Sequence, residues 1–474
     1  MCMENLETIV EIALEKGADY CDIRFVINQV EEIQVRGVNP EKISSKVDQG
    51  YGMRVLYNGA WGFAAGQNPV TVAEKAVKVA RASALAKKEA VTLAEVEPYN
   101  DSWETPMKKD PFSVPIEEKV SLLLDCGKAL LEPEAVKVSQ ATMRSRKQEK
   151  WFFSSEGASI HQKIVFCGAG IAAITVEGGE LQKRSYPTSF GGDFSQKGYE
   201  FIESLHLFDH CSETAEQSVN LLDAPHCPSG KRDIILESSQ LALQVHESCG
   251  HPTELDRVLG YEASYAGTSF LTPEKVGTFP YGSLEVTIVA DSTVPQGLGT
   301  FGYDDEGVKA CKTVLVDKGI FSGYLTSRET AYNLGEESNG TMRATDFNFI
   351  PLIRMTNINL MPGDFTFEEL VEDVKKGIYM VTNRSWSIDD RRINFQFGCE
   401  AGYVIDHGHI TDMIKNPTYT GLTPEFWGSC DAVSKDWHLW GVPNCGKGEP
   451  PQSMFVGHGT APARFRNIQV GVYR

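Results

Sequence analysis

Apolar residues recur at intervals of three and four over residues 6–16, placing Ile9, Val10, Ile12, Ala13 and Leu14 on a helical stripe that stops at Gly17, a usual C-cap position. The period then changes to two over 21–26 and 32–36, and 50–57 runs into Asn58-Gly59 followed by Ala60-Trp61-Gly62-Phe63-Ala64, a strong hairpin signature. Helical spacing returns over 70–87 and 116–131. From 135 to 208 the pattern is strand-rich, with its clearest apolar run at 165–176, and a helix is expected from Tyr199 to about Leu222.

The stretch Ala224-Pro225-His226-Cys227-Pro228-Ser229-Gly230-Lys231 gathers two prolines and a glycine, punctuation that suits a domain boundary. Beyond it come a short strand at 232–236 and a helix with Ser238 or Ser239 as N-cap, carrying Leu241, Leu243 and Val245. Strands follow at 284–290 and at 312–316, the latter closing on the turn Asp317-Lys318-Gly319. At 474 residues the chain exceeds the roughly 250–300 residues at which single cores stop growing. The expectation is an α+β protein of two domains, helices with large, mainly antiparallel β-sheets: 1–225, and a β-rich 226–474 that carries the candidate site.

Composition narrows the function classes. Apolar residues at 41% and charged residues at 23% are an ordinary globular mix. A formal charge of −19 repels a phosphate backbone, so no direct nucleic-acid partner is expected. The densest basic run, Arg144-Ser145-Arg146-Lys147-Gln148-Glu149-Lys150, reads as a solvated loop or strand face. Acidic residues open the chain after Met1-Cys2-Met3, where a secretory signal carries basic ones, and no uncharged apolar run of about 18 residues suggests a membrane span. Eleven cysteines without a C-x-x-C pair read as reduced thiols, and the location expected is cytoplasmic.

The chemistry concentrates in Val245-His246-Glu247-Ser248-Cys249-Gly250-His251-Pro252, where two imidazoles bracket a carboxylate. On an ideal α-helix residues i and i+5 lie about 140° apart, so both histidines cannot grip one ion from a straight helix. Gly250 and Pro252 offer a kink, and a widened π-type turn would serve equally well. With His251 brought back, Glu247 is placed to act as general base beside a Zn2+ ion. Catalytic zinc takes three protein ligands, and the best third is Cys445, read as lying in a glycine-rich loop where Lys447 favours thiolate. Cys249, between the histidines, should point elsewhere. The competing reading is a non-catalytic regulatory or scaffolding partner whose histidines are structural. A closed structural zinc site, however, takes four ligands and has no use for an adjacent free carboxylate.

Several further stretches accompany this motif: Gly17-Ala18-Asp19-Tyr20-Cys21-Asp22-Ile23-Arg24, Gly52-Met53-Arg54-Val55, Gly59-Ala60-Trp61-Gly62-Phe63-Ala64, Tyr303-Asp304-Asp305-Glu306-Gly307, Arg354-Met355-Thr356-Asn357 and Asn444-Cys445-Gly446-Lys447-Gly448. Together they resemble the TldD/PmbA family over nearly the whole chain, and the TldD type within it. The resemblance implies His246, His251 and Cys445 as zinc ligands, Glu247 as the catalytic carboxylate, and a metallopeptidase acting on peptides or unfolded segments in an enclosed cavity. It also implies a dimer, either a homodimer or a heterodimer with a PmbA-type subunit. Pro252-Thr253-Glu254-Leu255-Asp256 departs from the glycine-rich acidic stretch common in the family. Asp304, Asp305 and Glu306 could line a cleft selective for basic peptides, although an acidic turn is more often solvent-facing; Arg354 is weighed the same way.

Overall fold

The computed structural model describes residues 4–86 and 89–471. Helix Glu4–Glu15 ends as its sequence predicts: Gly17 takes φ +86°, its N–H reaches Leu14 O, and the Ala18 N–H reaches Ala13 O, the paired bonds of a Schellman cap. The two alternating runs that follow belong to one long strand, Tyr20–Arg36, paired antiparallel with Asn39–Tyr57 and with Val136–Ser154. The Asn58-Gly59 hairpin forms with both residues left-handed, at φ 46° and 69°, as a type I′ turn demands. These strands, with Ser159–Glu177 and four shorter ones, make an eight-stranded sheet.

The two faces of that sheet do different things. Cys21, Ile23, Met53 and Val55 meet helices Glu4–Glu15 and Pro69–Ala86 in an apolar cluster. The opposite face presents Asp22, Arg24, Asn28, Arg54, Arg146 and Lys150, all buried, toward the second half of the chain. The basic run at 144–150 is therefore not a solvated face throughout. Lys150 and Arg54 are enclosed because Asp305 and Glu306 neutralise them at 2.6 and 3.0 Å. Correspondingly, the Asp304–Glu306 turn is buried rather than solvent-facing. Its carboxylates join the two halves, and the Asp304 carboxylate accepts the N–H groups of Glu306, Val308 and Met342.

Two elements differ in extent from expectation. The helix expected from Tyr199 to Leu222 is two, Glu200–Ser204 and Cys211–Asp223, because His206 turns left-handed at φ 47° and tight turns fill the gap. The expected strand at 284–290 forms only as Ile288–Asp291, since Val286 N–H closes a turn onto Ser283 O. The helix expected to Lys87 runs Pro69–Ala86, and Lys87 lies outside the described residues.

In the second half, Lys376–Ile388, Gly230–Leu236, Ala463–Val470, Thr418–Leu422 and Asn394–Asp406 pair in that order, and the first and last also pair, closing a ring. Only the Gly230–Leu236/Lys376–Ile388 contact is parallel. Helix Ser238–Val245 leaves strand Gly230–Leu236 and is buried along its whole length, so its C-terminal end is fixed deep inside the molecule. Among the described residues no helix is long and apolar enough to cross a membrane.

Candidate metal centre

Helix Ser238–Val245 is capped by neither serine. Glu237 is the N-cap, its carboxylate accepting the Ser239 and Gln240 N–H groups at 2.9 and 3.3 Å, because the chain is already helical at Ser238. At the other end the helix widens: residues His246–Gly250 form a π turn, and the His251 N–H donates to His246 O, five residues back. Of the two remedies for the i, i+5 spacing, the chain uses the π turn. Gly250 keeps ordinary right-handed angles, φ −56° and ψ −64°, so it does not kink the chain. Its lack of a side chain serves packing instead, since a Cβ there would lie 2.1 Å from Met355 Sδ. The carbonyls disturbed by the wider turn find side-chain donors: Tyr281 to Ser248 O at 2.8 Å, Thr253 to Cys249 O and Gly250 O at 2.9 Å, and Ser248 to Gln244 O.

The widened turn brings the imidazoles of His246 and His251 to a centroid separation of 4.9 Å, nearly perpendicular. Cys445 comes from 194 residues downstream, its Sγ 3.8 Å from His251 Nε2. It lies on a strand, His438–Lys447, rather than in a loop. A register shift between Val442 and Cys445 in its pairing with Gln452–Thr460 marks a bulge at Pro443-Asn444 that re-aims the thiol. Arg354, fully buried, donates to Cys445 O and to Gln452 O, bracing both strands of this hairpin.

Both histidines are oriented from behind. His458 Nδ1 donates to Ile358 O at 3.3 Å, which leaves His458 Nε2 as an acceptor for His246 Nδ1–H at 2.7 Å and frees His246 Nε2. Burial, reinforced by the neighbouring His246, holds His458 well below the usual imidazole range, consistent with a neutral acceptor. On the other side, His251 Nδ1–H donates to Glu254 Oε2 at 2.9 Å, freeing His251 Nε2. Such carboxylate–imidazole pairs fix the tautomer of metal-binding histidines. The stretch Pro252–Asp256 thus supplies a partner to the site through Glu254. Its signal was legible in principle, three residues after His251; His458 lay hidden in a glycine-flanked strand.

The donor set fits zinc. His246, His251 and Cys445 offer ligand atoms all within 4.8 Å of one another. Zn–N and Zn–S bonds of tetrahedral zinc imply an N–S edge of about 3.6 Å, close to the 3.8 Å between His251 and Cys445. Although burial opposes it, the charges of His246, His251 and Arg354 hold the Cys445 thiol well below its usual range, favouring thiolate. Lys447 does not perform that task. Its ammonium is engaged by Asp256 at 2.7 Å, Glu254 at 3.3 Å and Glu262 at 3.6 Å. Cys249 points into the apolar core, where burial raises its thiol to about 12.

Glu247 stands beside the cluster with Oε2 accepting from Arg392 Nη1 at 2.7 Å. Burial would raise its carboxyl, but His251, His246 and Arg392 outweigh it and keep the group ionised. Arg392, Arg354, His458 and Glu254 are the site's supporting residues; in the sequence Arg354 is weighed only as a cleft-lining residue and Glu254 only within the stretch 252–256, and the structure has Arg354 bracing the Cys445 strand.

Comparison with known proteins finds relatives that span nearly the whole chain. Family models described as PmbA/TldA metallopeptidase domain 1, central domain and C-terminal domain match residues 21–86, 109–222 and 229–472. A metalloprotease of Methanocaldococcus jannaschii is 34% identical over 463 residues, spanning 96% of this chain and 98% of that protein. A Saccharolobus solfataricus protein described as a zinc metalloprotease and TldD homologue is 25% identical over 98% of this chain and 99% of its own. In fold, the chain is similar to a Thermotoga maritima protein described as a candidate modulator of a DNA gyrase, with TM-score 0.79, 18% identity and coverage of 99% and 100% of the two chains. It is also similar to TldE of Thermococcus kodakarensis, with TM-score 0.75, 17% identity and coverage of 98% and 99%.

Proposed function

The chain belongs to the PmbA/TldD family of metalloproteases, and from that premise we propose that it is a zinc enzyme hydrolysing peptides or unfolded segments, with Glu247 as its general base. The observation that carries the proposal is the buried set of three ligand atoms with an ionised carboxylate next to it that belongs to none of the three. Zinc held by His246, His251 and Cys445 would supply Lewis acidity toward water and a carbonyl oxygen at its open position. Glu247 takes the proton from the water that attacks the peptide carbonyl and returns it to the leaving amine nitrogen. Glu254 and His458 keep the two ligand imidazoles in the tautomer that presents Nε2. Arg354 holds the Cys445 strand against them.

Three ligands and a separate base support catalysis over a scaffolding role, for which a fourth ligand in place of the base would suffice. We further propose two structural units meeting at 225/226, supported by a large sheet on either side of that point, and association with a second copy or a PmbA-type subunit in the cytoplasm. The test is Glu247→Gln. Zinc retention equal to wild type with turnover of a quenched-fluorescent peptide library lost by at least about a hundredfold is the expected result. Unchanged turnover removes Glu247 from the mechanism.

A further inference from the structure

Arg392 sits on the tight connection between strands Lys376–Ile388 and Asn394–Asp406, and its backbone is left-handed at φ +64°. A long side chain rarely takes that conformation unless its surroundings impose it, and such outliers gather at functional sites. Here the imposition is visible on both flanks. The Asp389 carboxylate accepts the N–H groups of Arg391, Ile393 and Asn394 at 3.1, 2.9 and 3.1 Å, and the Arg392 N–H donates to Asp389 O at 2.9 Å. Thr423 Oγ1 donates to Arg392 O at 2.8 Å. Gly267 lies so close that a Cβ there would come within 2.3 Å of Asp390 O, and Thr268 N–H donates to that same oxygen at 2.8 Å.

A turn that needed only this shape would be served by glycine, which adopts left-handed angles without steric cost. What arginine adds is the guanidinium, whose side chain is 12% exposed and whose Nη1 donates to Glu247 Oε2 at 2.7 Å. That bond occupies one carboxylate oxygen; Glu247 Oε1 makes no hydrogen bond among the described residues. Arg392 Nη2 contacts Ala266 O at 3.5 Å, and its Nε is buried without a partner.

We propose that Arg392 is a positioning residue, delivered by a forced left-handed turn, that fixes Oε2 of Glu247 so that Oε1 is the oxygen presented to the reacting centre. This rests on the reading of Glu247 as the proton carrier. A merely structural role for the Arg392–Glu247 pair would make activity follow stability, whereas a positioning role separates the two. The discriminating set is Arg392→Gly, Arg392→Ala and Arg392→Lys beside Glu247→Gln.

For each variant the readouts are kcat and KM on the best-cleaved peptide of a quenched-fluorescent library, zinc content, and the Tm of the metal-free chain. Arg392→Gly and Arg392→Ala are expected to lose about a hundredfold in kcat with KM within about twofold and zinc content unchanged. Arg392→Gly should melt at or above Arg392→Ala, because glycine relieves the left-handed backbone, yet be no more active. Arg392→Lys should recover part of kcat by keeping one charged donor. The proposal is overturned if Arg392→Gly keeps kcat within about threefold of wild type while Glu247→Gln is inactive, or if activity rises and falls with Tm across the set. A Glu247→Gln variant that turns over normally overturns the underlying reading first, and this one with it.

Discussion

Glu254 offers the sharpest separation between building a ligand and merely packing beside it. Its Oε2 lies 2.9 Å from His251 Nδ1, 3.3 Å from Lys447 Nζ and 3.6 Å from Arg257 Nε, with all four side chains buried. Replacing it by glutamine preserves shape, and the amide oxygen can still accept from His251 Nδ1–H; what is lost is the negative charge. Lys447 keeps Asp256 at 2.7 Å and Arg257 keeps Glu262 at 2.8 Å, so the cost in stability falls at the lower end of what breaking a buried pair causes, about 3 kcal/mol. For zinc, loss of a carboxylate behind a ligand imidazole weakens affinity about 10- to 100-fold, or about 1.4–2.7 kcal/mol. Glu254→Ala, which also frees the ring to rotate, should lose more than Glu254→Gln. Competition with a chromophoric chelator gives the zinc affinities, and melting the metal-free proteins gives the stability cost separately. Zinc affinity of Glu254→Gln within twofold of wild type would refute the claim that Glu254 acts through His251.

Two further outcomes follow from the same geometry. Burial disfavours the His251 cation, but Glu254 and Cys445 outweigh it and raise its pKa above the ordinary 6.5, so near pH 6.5 the metal-free ring is protonated and zinc must displace that proton. Zinc affinity should therefore fall as pH drops through and below the raised His251 value; calorimetry in buffers of different ionisation heat should show proton release that Glu254→Gln reduces. Gly250→Ala drives a methyl into Met355 Sδ, 2.1 Å from the Cβ position, and should cost about 1–3 kcal/mol because the methionine can give way only in part. An unchanged urea midpoint would show that the turn has room to spare.

What the sequence disclosed depended on the range of the interaction. The Gly17 cap, the Asn58-Gly59 hairpin and the His-Glu-Ser-Cys-Gly-His string are local, and local chemistry sets them. The spacing of His246 and His251 demanded a distorted helix end but could not choose between a kink and a π turn. That choice depends on Tyr281, Thr253 and Met355 packing around it. Cys445 was legible as a residue but not as a strand residue, because the bulge at Pro443-Asn444 exists only in register with its partner strand. The basic run at 144–150 and the acidic turn at 304–306 each look solvated when read alone. Only the fold reveals that Lys150 of the run pairs with Asp305 of the turn, and that Arg24 and Arg54 from a neighbouring part of the sheet meet Asp305 and Glu306. Arg392 and His458 have no local signature at all; their roles arise from contacts 145 and 212 residues away in sequence.

The metal is where His246, His251, Cys445 and Glu247 can be tested together. Zinc per chain should be measured by elemental analysis on protein purified without chelator, for wild type, Glu247→Gln, His251→Ala and Cys445→Ala, with folding of each checked by its far-ultraviolet circular dichroism. One zinc per chain is expected in wild type and Glu247→Gln, and little in the two ligand variants although they remain folded. A folded wild-type chain without zinc, or full zinc content in Cys445→Ala, would contradict the ligand assignment.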